Sequence, residues 1–221
     1  NTGGILFHNM IVNGGSGTNR FVTASQFSGS GSFSVGNDLT INSGSELRTL
    51  YGPTIGGANI NVGGNIINNG TLVIGPFTTL ALRMDGGTAS TSPQTISGSG
   101  IFTNVIGGTG APKFSNLLVN NLVTSGVDMS GIGNITIDDV NATAPTLTLT
   151  SGILRLGSNN ITIGSSTTKP GLITLGVYAP TSGTGMSGTI NTTGTITRWF
   201  GTALFSAPFN NTGTVTSPGM F

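Results

Sequence analysis

The chain has 221 residues, enough for one or two domains with a sizeable core. Only 6% of it is charged and the formal net charge is +1, from basic residues dispersed singly as Arg20, Arg48, Arg83, Lys113, Arg155, Lys169 and Arg198. That spread supplies no phosphate-neutralising cluster and argues against nucleic acid or an anionic membrane surface as partner. Gly, Thr, Ser and Asn make up 118 residues, yet a hydrophobic fraction of 35% and a mean hydropathy of +0.22 oppose disorder. With no cysteine, disulfides, thiolate metal sites and thiol nucleophiles are excluded.

Helical periodicity is interrupted throughout by Gly and β-branched residues, whereas strand signals are short and frequent. A first strand is predicted over 5–12 and carries His8, the single histidine. Strands follow at 32–35 and 39–42. Residues 43–58, with Glu46, Arg48, Tyr51 and Pro53, predict a loop leaving the fold. Further strands are predicted at 60–62, 72–74, 80–84, 117–120, 135–138, 146–150, 153–156, 161–163, 172–175 and 196–198. Between them stand Gly-Gly, Asn-Gly, Ser-Gly and Gly-Ser-Asn-Asn, which supply left-handed positions and tight corners.

Strands of three or four residues, recurring phrases and small polar turns favour an all-β parallel β-helix, a β-solenoid, over an antiparallel sandwich. The phrase 153–163 has near-echoes at 35–44 and 62–74. Coils of about 20–25 residues predict about nine to eleven turns, hence a rod about 45–50 Å long at roughly 4.8 Å per coil. Alternating Leu, Ile and Val face inward, Thr and Ser outward. The pairs Asn68-Asn69, Asn120-Asn121 and Asn159-Asn160 are candidates for one stacked turn ladder. Residues 1–180 form the coils, and 181–221 form a less regular terminal or capping region. No apolar run approaches the roughly 20 residues of a membrane helix. A start at Asn1, with no signal peptide, reads as a processed product or a piece of something longer.

Chemistry has few residues to use. A polysaccharide-cleaving solenoid needs converging carboxylates. The acids here are Asp38, Glu46, Asp85, Asp128, Asp138 and Asp139. The adjacent pair Asp138-Asp139 points to opposite faces of a strand, with Asp128 half a coil upstream. His8 has no acidic residue nearby in sequence and reads as structural. Gly107-Gly-Thr-Gly lacks the Lys-Ser/Thr and helix of a phosphate loop. Threonines at 146–150 and 193–197 offer a small flat polar face. Trp199, Phe200, Phe205 and Phe209 gather near the end as a possible ligand or packing surface. No catalytic residue, cofactor or metal is expected.

Three phrases carry a family resemblance: Gly63-Gly-Asn-Ile-Ile-Asn-Asn-Gly-Thr-Leu, then Gln94-Thr-Ile-Ser-Gly-Ser-Gly, then Phe114-Ser-Asn-Leu-Leu-Val-Asn-Asn. With residues 147–164 and Gly194-Thr-Ile-Thr-Arg-Trp-Phe, they resemble the β-solenoid stretches of large secreted surface proteins of Bacteroidota. The likeness spans about residues 30–200, although the proline-glycine phrase usual after the last segment appears only as Ser217-Pro-Gly219. It implies an extracellular, cell-surface location, often reached by type IX secretion, and an adhesin-like or filamentous stalk role. It brings no catalytic residues. The expected function is therefore a structural segment: stalk, spacer or fibre. Its partners would be neighbouring domains, further copies of the protein or surface glycans. A carbohydrate-binding module is the alternative, and a polysaccharide-degrading enzyme the third reading.

Overall fold

The computed structural model describes residues 5–14, 21–23, 32–48, 59–74, 82–84, 93–121, 126–138, 145–175 and 189–201. Within them the chain winds as a three-faced parallel β-solenoid. The first face is a seven-stranded sheet of Ile5–Phe7, Ser32–Val35, Asn59–Val62, Leu82–Met84, Asn116–Asn120, Thr146–Ser151 and Leu172–Leu175. A second seven-stranded face follows in the same order: Met10–Val12, Leu39–Ile41, Ile66–Asn68, Gln94–Ser97, Val127–Asp128, Ile153–Gly157 and Thr189–Thr192.

The third face is split. Phe21–Thr23, Glu46–Arg48, Thr71–Val73 and Ile101–Thr103 form its lower sheet. Lys113–Phe114, Ile135–Ile137, Ile161–Ser166 and Ile196–Arg198 form the upper one. The short strand Lys169–Pro170 folds back antiparallel onto Ile161–Ser166, while every other strand pairing among the described residues is parallel. Two strands of the last coil thus lie within residues 181–221.

One register ladder on the first face runs Ile5, Phe33, Ile60, Leu82, Leu117, Leu147, Ile173. It marks seven coils among the described residues, with successive positions 22 to 35 residues apart. The expectation of nine to eleven coils was too high. The reason is that most coils are longer than the expected 20–25 residues, lengthened at corners such as the excursion 104–112 between Ile101–Thr103 and Lys113–Phe114. At about 4.8 Å per step, the described coils span roughly 29 Å between first and last.

Alternation sets the core. In Leu39–Ile41, Leu39 and Ile41 are buried and Thr40 is not, and the same pattern repeats in Ile135–Ile137. Leu39, Ile66 and Ile96 stack on the second face, and Leu47, Leu72 and Phe102 on the third. Each such side chain contributes on the order of 1.5–3 kcal/mol relative to exposure.

Two further expectations are corrected. The predicted strand 5–12 is two strands on different faces, because the chain turns a corner at His8 and Asn9. The predicted loop 43–58 contains the strand Glu46–Arg48, paired below with Phe21–Thr23 and above with Thr71–Val73. Leu47 supplies its one inward side chain. Glu46 and Arg48 face outward and form an ion pair with each other, so the charges that suggested a loop sit on the solvent side of a sheet.

Candidate functional site

The corners hold the most organised polar groups. At the entry to the second face, Asn9, Asp38, Asn65 and Thr95 stand one above another. Asn9 Oδ1 accepts the Asp38 N–H at 3.2 Å, Asp38 Oδ1 accepts that of Asn65 at 2.7 Å, and Asn65 Oδ1 accepts that of Thr95 at 2.9 Å. In return, Met10 N–H donates to Asp38 O and Leu39 N–H to Asn65 O. Each of these three steps is therefore stapled by a side-chain bond, and the first two by a backbone bond as well.

The same staple recurs at the upper entry to the third face. Asn134 Oδ1 accepts Asn160 N–H and Asn160 Oδ1 accepts Thr195 N–H, both at 2.8 Å, while Ile135 and Ile161 donate to Asn160 O and Thr195 O. Lower down, this corner is built from Ser45, Gly70 and Gly100 instead. A Cβ on Gly70 would lie 2.3 Å from Ser45 O, and one on Gly100 would lie 2.4 Å from Gly70 O. Only glycine permits that approach.

The three asparagine pairs singled out in the sequence do not share one ladder. Asn160 is a rung, and Asn159 Nδ2 caps Ser130 O. Asn69 Oδ1 accepts Ser99 N–H, whereas Asn68 is wholly buried, bridging Gly70 N–H and Ile101 O. Asn120 lies in a first-face strand. Asn121 is buried and donates to Gln94 Oε1 at 2.7 Å and to Gly126 O. Gln94 Nε2 donates in turn to Val62 O and Gly64 O, so one amide pair joins the corners of three successive coils. Polar residues inside the winding were the part that simple alternation missed.

The carboxylates are distributed over different faces. Asp128 sits on the second face in register with Thr95 and Arg155, its Oδ1 accepting Ser130 N–H at 2.8 Å. Asp138 ends a third-face strand and is nearly buried, with Ser165 Oγ on Oδ1 at 2.9 Å and Lys113 Nζ 3.7 Å from Oδ2. Each is held by its own neighbours, and Asp139 and Asp85 lie outside the described residues. His8 is exposed at the corner between the first two faces, its Nε2 3.1 Å from Asn37 Nδ2.

Of the aromatic group, Trp199 and Phe200 are described, and Phe205 and Phe209 lie outside the described residues. Trp199 is pinned by its backbone: its N–H donates to Ile163 O and its carbonyl accepts Gly171 N–H, both at 2.9 Å. The residue remains 41% exposed. Arg198 Nε donates to Gly171 O at 2.9 Å, and its guanidinium lies 4.7 Å from the centroid of Phe200. Burial pushes the Arg198 guanidinium below its usual pKa. On the adjoining outer column, Thr136, Thr162 and Thr197 stack in successive coils. The threonines at 146–150 belong to the first face and do not join that column.

Among the described residues no group of three or more His, Cys, Asp or Glu is placed to hold a metal ion, and no helix is long and apolar enough to cross a membrane. Comparison with protein families, with curated proteins and with solved structures finds no match to this chain.

Proposed function

We propose that this chain is a spacer: a stiff β-solenoid segment of a stalk or fibre in a secreted, cell-surface, adhesin-like protein. One observation carries the reading. Seven coils pair in parallel through two faces, and corners are closed by staples that repeat between successive coils. In such an architecture each coil contacts its neighbours, and length scales with coil number. The cell-surface part of the reading rests on the resemblance of the quoted phrases to those of Bacteroidota surface proteins. Carbohydrate recognition stands second, supported by the exposed Trp199.

The test is to change the length. Ser32 lies in register with Asn59, so residues 32–58 make up one full turn. Four further copies of 32–58, inserted after residue 58, should give a folded protein whose longest dimension by small-angle scattering grows by about 19 Å. An insertion variant that unfolds, or that swells without lengthening, overturns the spacer reading.

A further inference from the structure

Where the third face passes from its lower sheet to its upper one, three side chains of complementary chemistry meet. Asn104 opens the excursion 104–112, and Lys113 follows it. Both engage Asp138 of the next coil: Asn104 Nδ2 donates to Asp138 O, and Lys113 Nζ lies 3.7 Å from Asp138 Oδ2. Asn104 is wholly buried, and its Oδ1 has no hydrogen-bond partner among the described residues. An acceptor left in that state inside a protein calls for a chemical reason. The ion pair alone does not provide one, because it engages only the carboxylate.

The surroundings favour neutral groups. Phe114, the neighbour of Lys113 in sequence, is fully buried and packs on Phe102 at 5.8 Å between ring centroids. The Asp138 side chain is only 11% exposed. Moving one proton from the Lys113 ammonium to the Asp138 carboxylate replaces two poorly solvated charges with a neutral amine and a neutral acid. The amine is then a nucleophile, and the acid carries a hydrogen of the kind that Asn104 Oδ1 lacks.

We infer that Lys113 and Asn104 form a self-modification site, joined by an isopeptide bond with Asp138 as the proton carrier. The Lys113 Nζ lone pair adds to Asn104 Cγ while Asp138 protonates Oδ1. The tetrahedral adduct collapses, the bond from Cγ to Nδ2 breaks, and Nδ2 leaves as ammonia, the proton lost by Nζ passing back through Asp138. One C–N bond forms and one breaks. Asp138 ends ionised, an ammonium ion departs with the charge that Lys113 carried, and no oxidant or cofactor takes part. Gathering amine, amide and acid around one residue makes the step unimolecular. The product closes residues 104–113 into a covalent ring where the third face changes sheets, so a pull along the solenoid cannot draw the excursion out. This goes beyond the spacer reading, whose length test does not depend on it.

Intact-mass measurement of the purified chain tests the bond. The protein should be lighter than its sequence by one ammonia. Arg83, Lys113 and Arg155 are successive basic residues, and trypsin does not cut after an acylated lysine. Residues 84–155 should therefore stay together as one peptide, with fragmentation placing the link between Asn104 and Lys113. Lys113→Arg keeps the charge and cannot form the bond, while Asp138→Asn keeps the shape and removes the proton carrier. Both variants, with their fold checked by far-UV circular dichroism, should show the full mass of their sequences.

An unmodified chain of full sequence mass, cut by trypsin after Lys113, overturns the proposal. So does a chain lighter by one water, which would join Lys113 to Asp138 instead. An Asp138→Asn variant that forms the same link removes Asp138 from the chemistry and overturns the mechanism.

Discussion

At the residue scale, the corner asparagines do two jobs that hydrophobic patterning does not reveal. Asn160 supplies the acceptor for Thr195 N–H, while its own N–H is satisfied by Asn134. Removing an acceptor leaves a donor to be solvated, with a typical net loss of about 0.5–1.5 kcal/mol per bond. Asn160→Ala should therefore lower the urea midpoint by an amount corresponding to about 1 kcal/mol, and Asn160→Asp, which keeps the acceptor, should restore most of it. Equal losses in both variants would show that the staple adds nothing. The sequence pointed to asparagine at turns, but adjacent pairs were a poor guide to which rung each forms. Rungs are set by register between coils 26 to 35 residues apart, and unequal corners hide that spacing. The buried Gln94–Asn121 pair was hidden for another reason: its partners are carbonyls of other coils, which no local pattern encodes.

At the scale of the element, strand existence was legible wherever two inward aliphatics flank an outward threonine, as in Ile135–Ile137 and Ile161–Ile163. It failed where a strand has one inward apolar residue, as in Ile66–Asn68 and Gln94–Ser97, whose other inward positions are Asn68 and Gln94. Glu46–Arg48 shows why: Leu47 alone is buried, and the outward positions carry charge where Thr would be usual. The strand forms because the sheets above and below hold its backbone. The ion pair is therefore incidental to it. Both side chains are partly exposed, and pairs of this kind contribute about 0–1 kcal/mol. Replacing both with threonine should change stability by less than about 1 kcal/mol, since β-branched residues suit a strand. Loss of the strand's amide protection in hydrogen exchange would mean that the charges themselves define it. Leu47→Ala should behave very differently, costing about 2–5 kcal/mol by leaving a cavity between Leu72 and the coil below.

At the scale of the molecule, the described coils have a seam on the third face. Ile101–Thr103 pairs with the coil beneath and Lys113–Phe114 with the coil above, and the two sheets of this face are not joined by a strand pairing. What links them is a tilted aromatic contact, Phe102 to Phe114 at 5.8 Å between centroids, and the bond from Asn104 Nδ2 to Asp138 O. The other two faces run through uninterrupted. In a stacked architecture, stability is a sum of coil terms and neighbour interfaces, so a weak interface sets where the array separates. Phe114 is fully buried, and Phe114→Ala should cost about 3–5 kcal/mol. Because Phe114 pairs upward with Ile137, the loss should fall on the upper sheet. Hydrogen exchange in this variant should accelerate at Ile135–Ile137 and Ile161–Ser166 and remain unchanged at Glu46–Arg48 and Thr71–Val73. Phe102→Ala should show the reverse polarity, since Phe102 stacks on Leu72. If either variant loosens both sheets alike, the solenoid unfolds as one block and the split third face is not an energetic boundary.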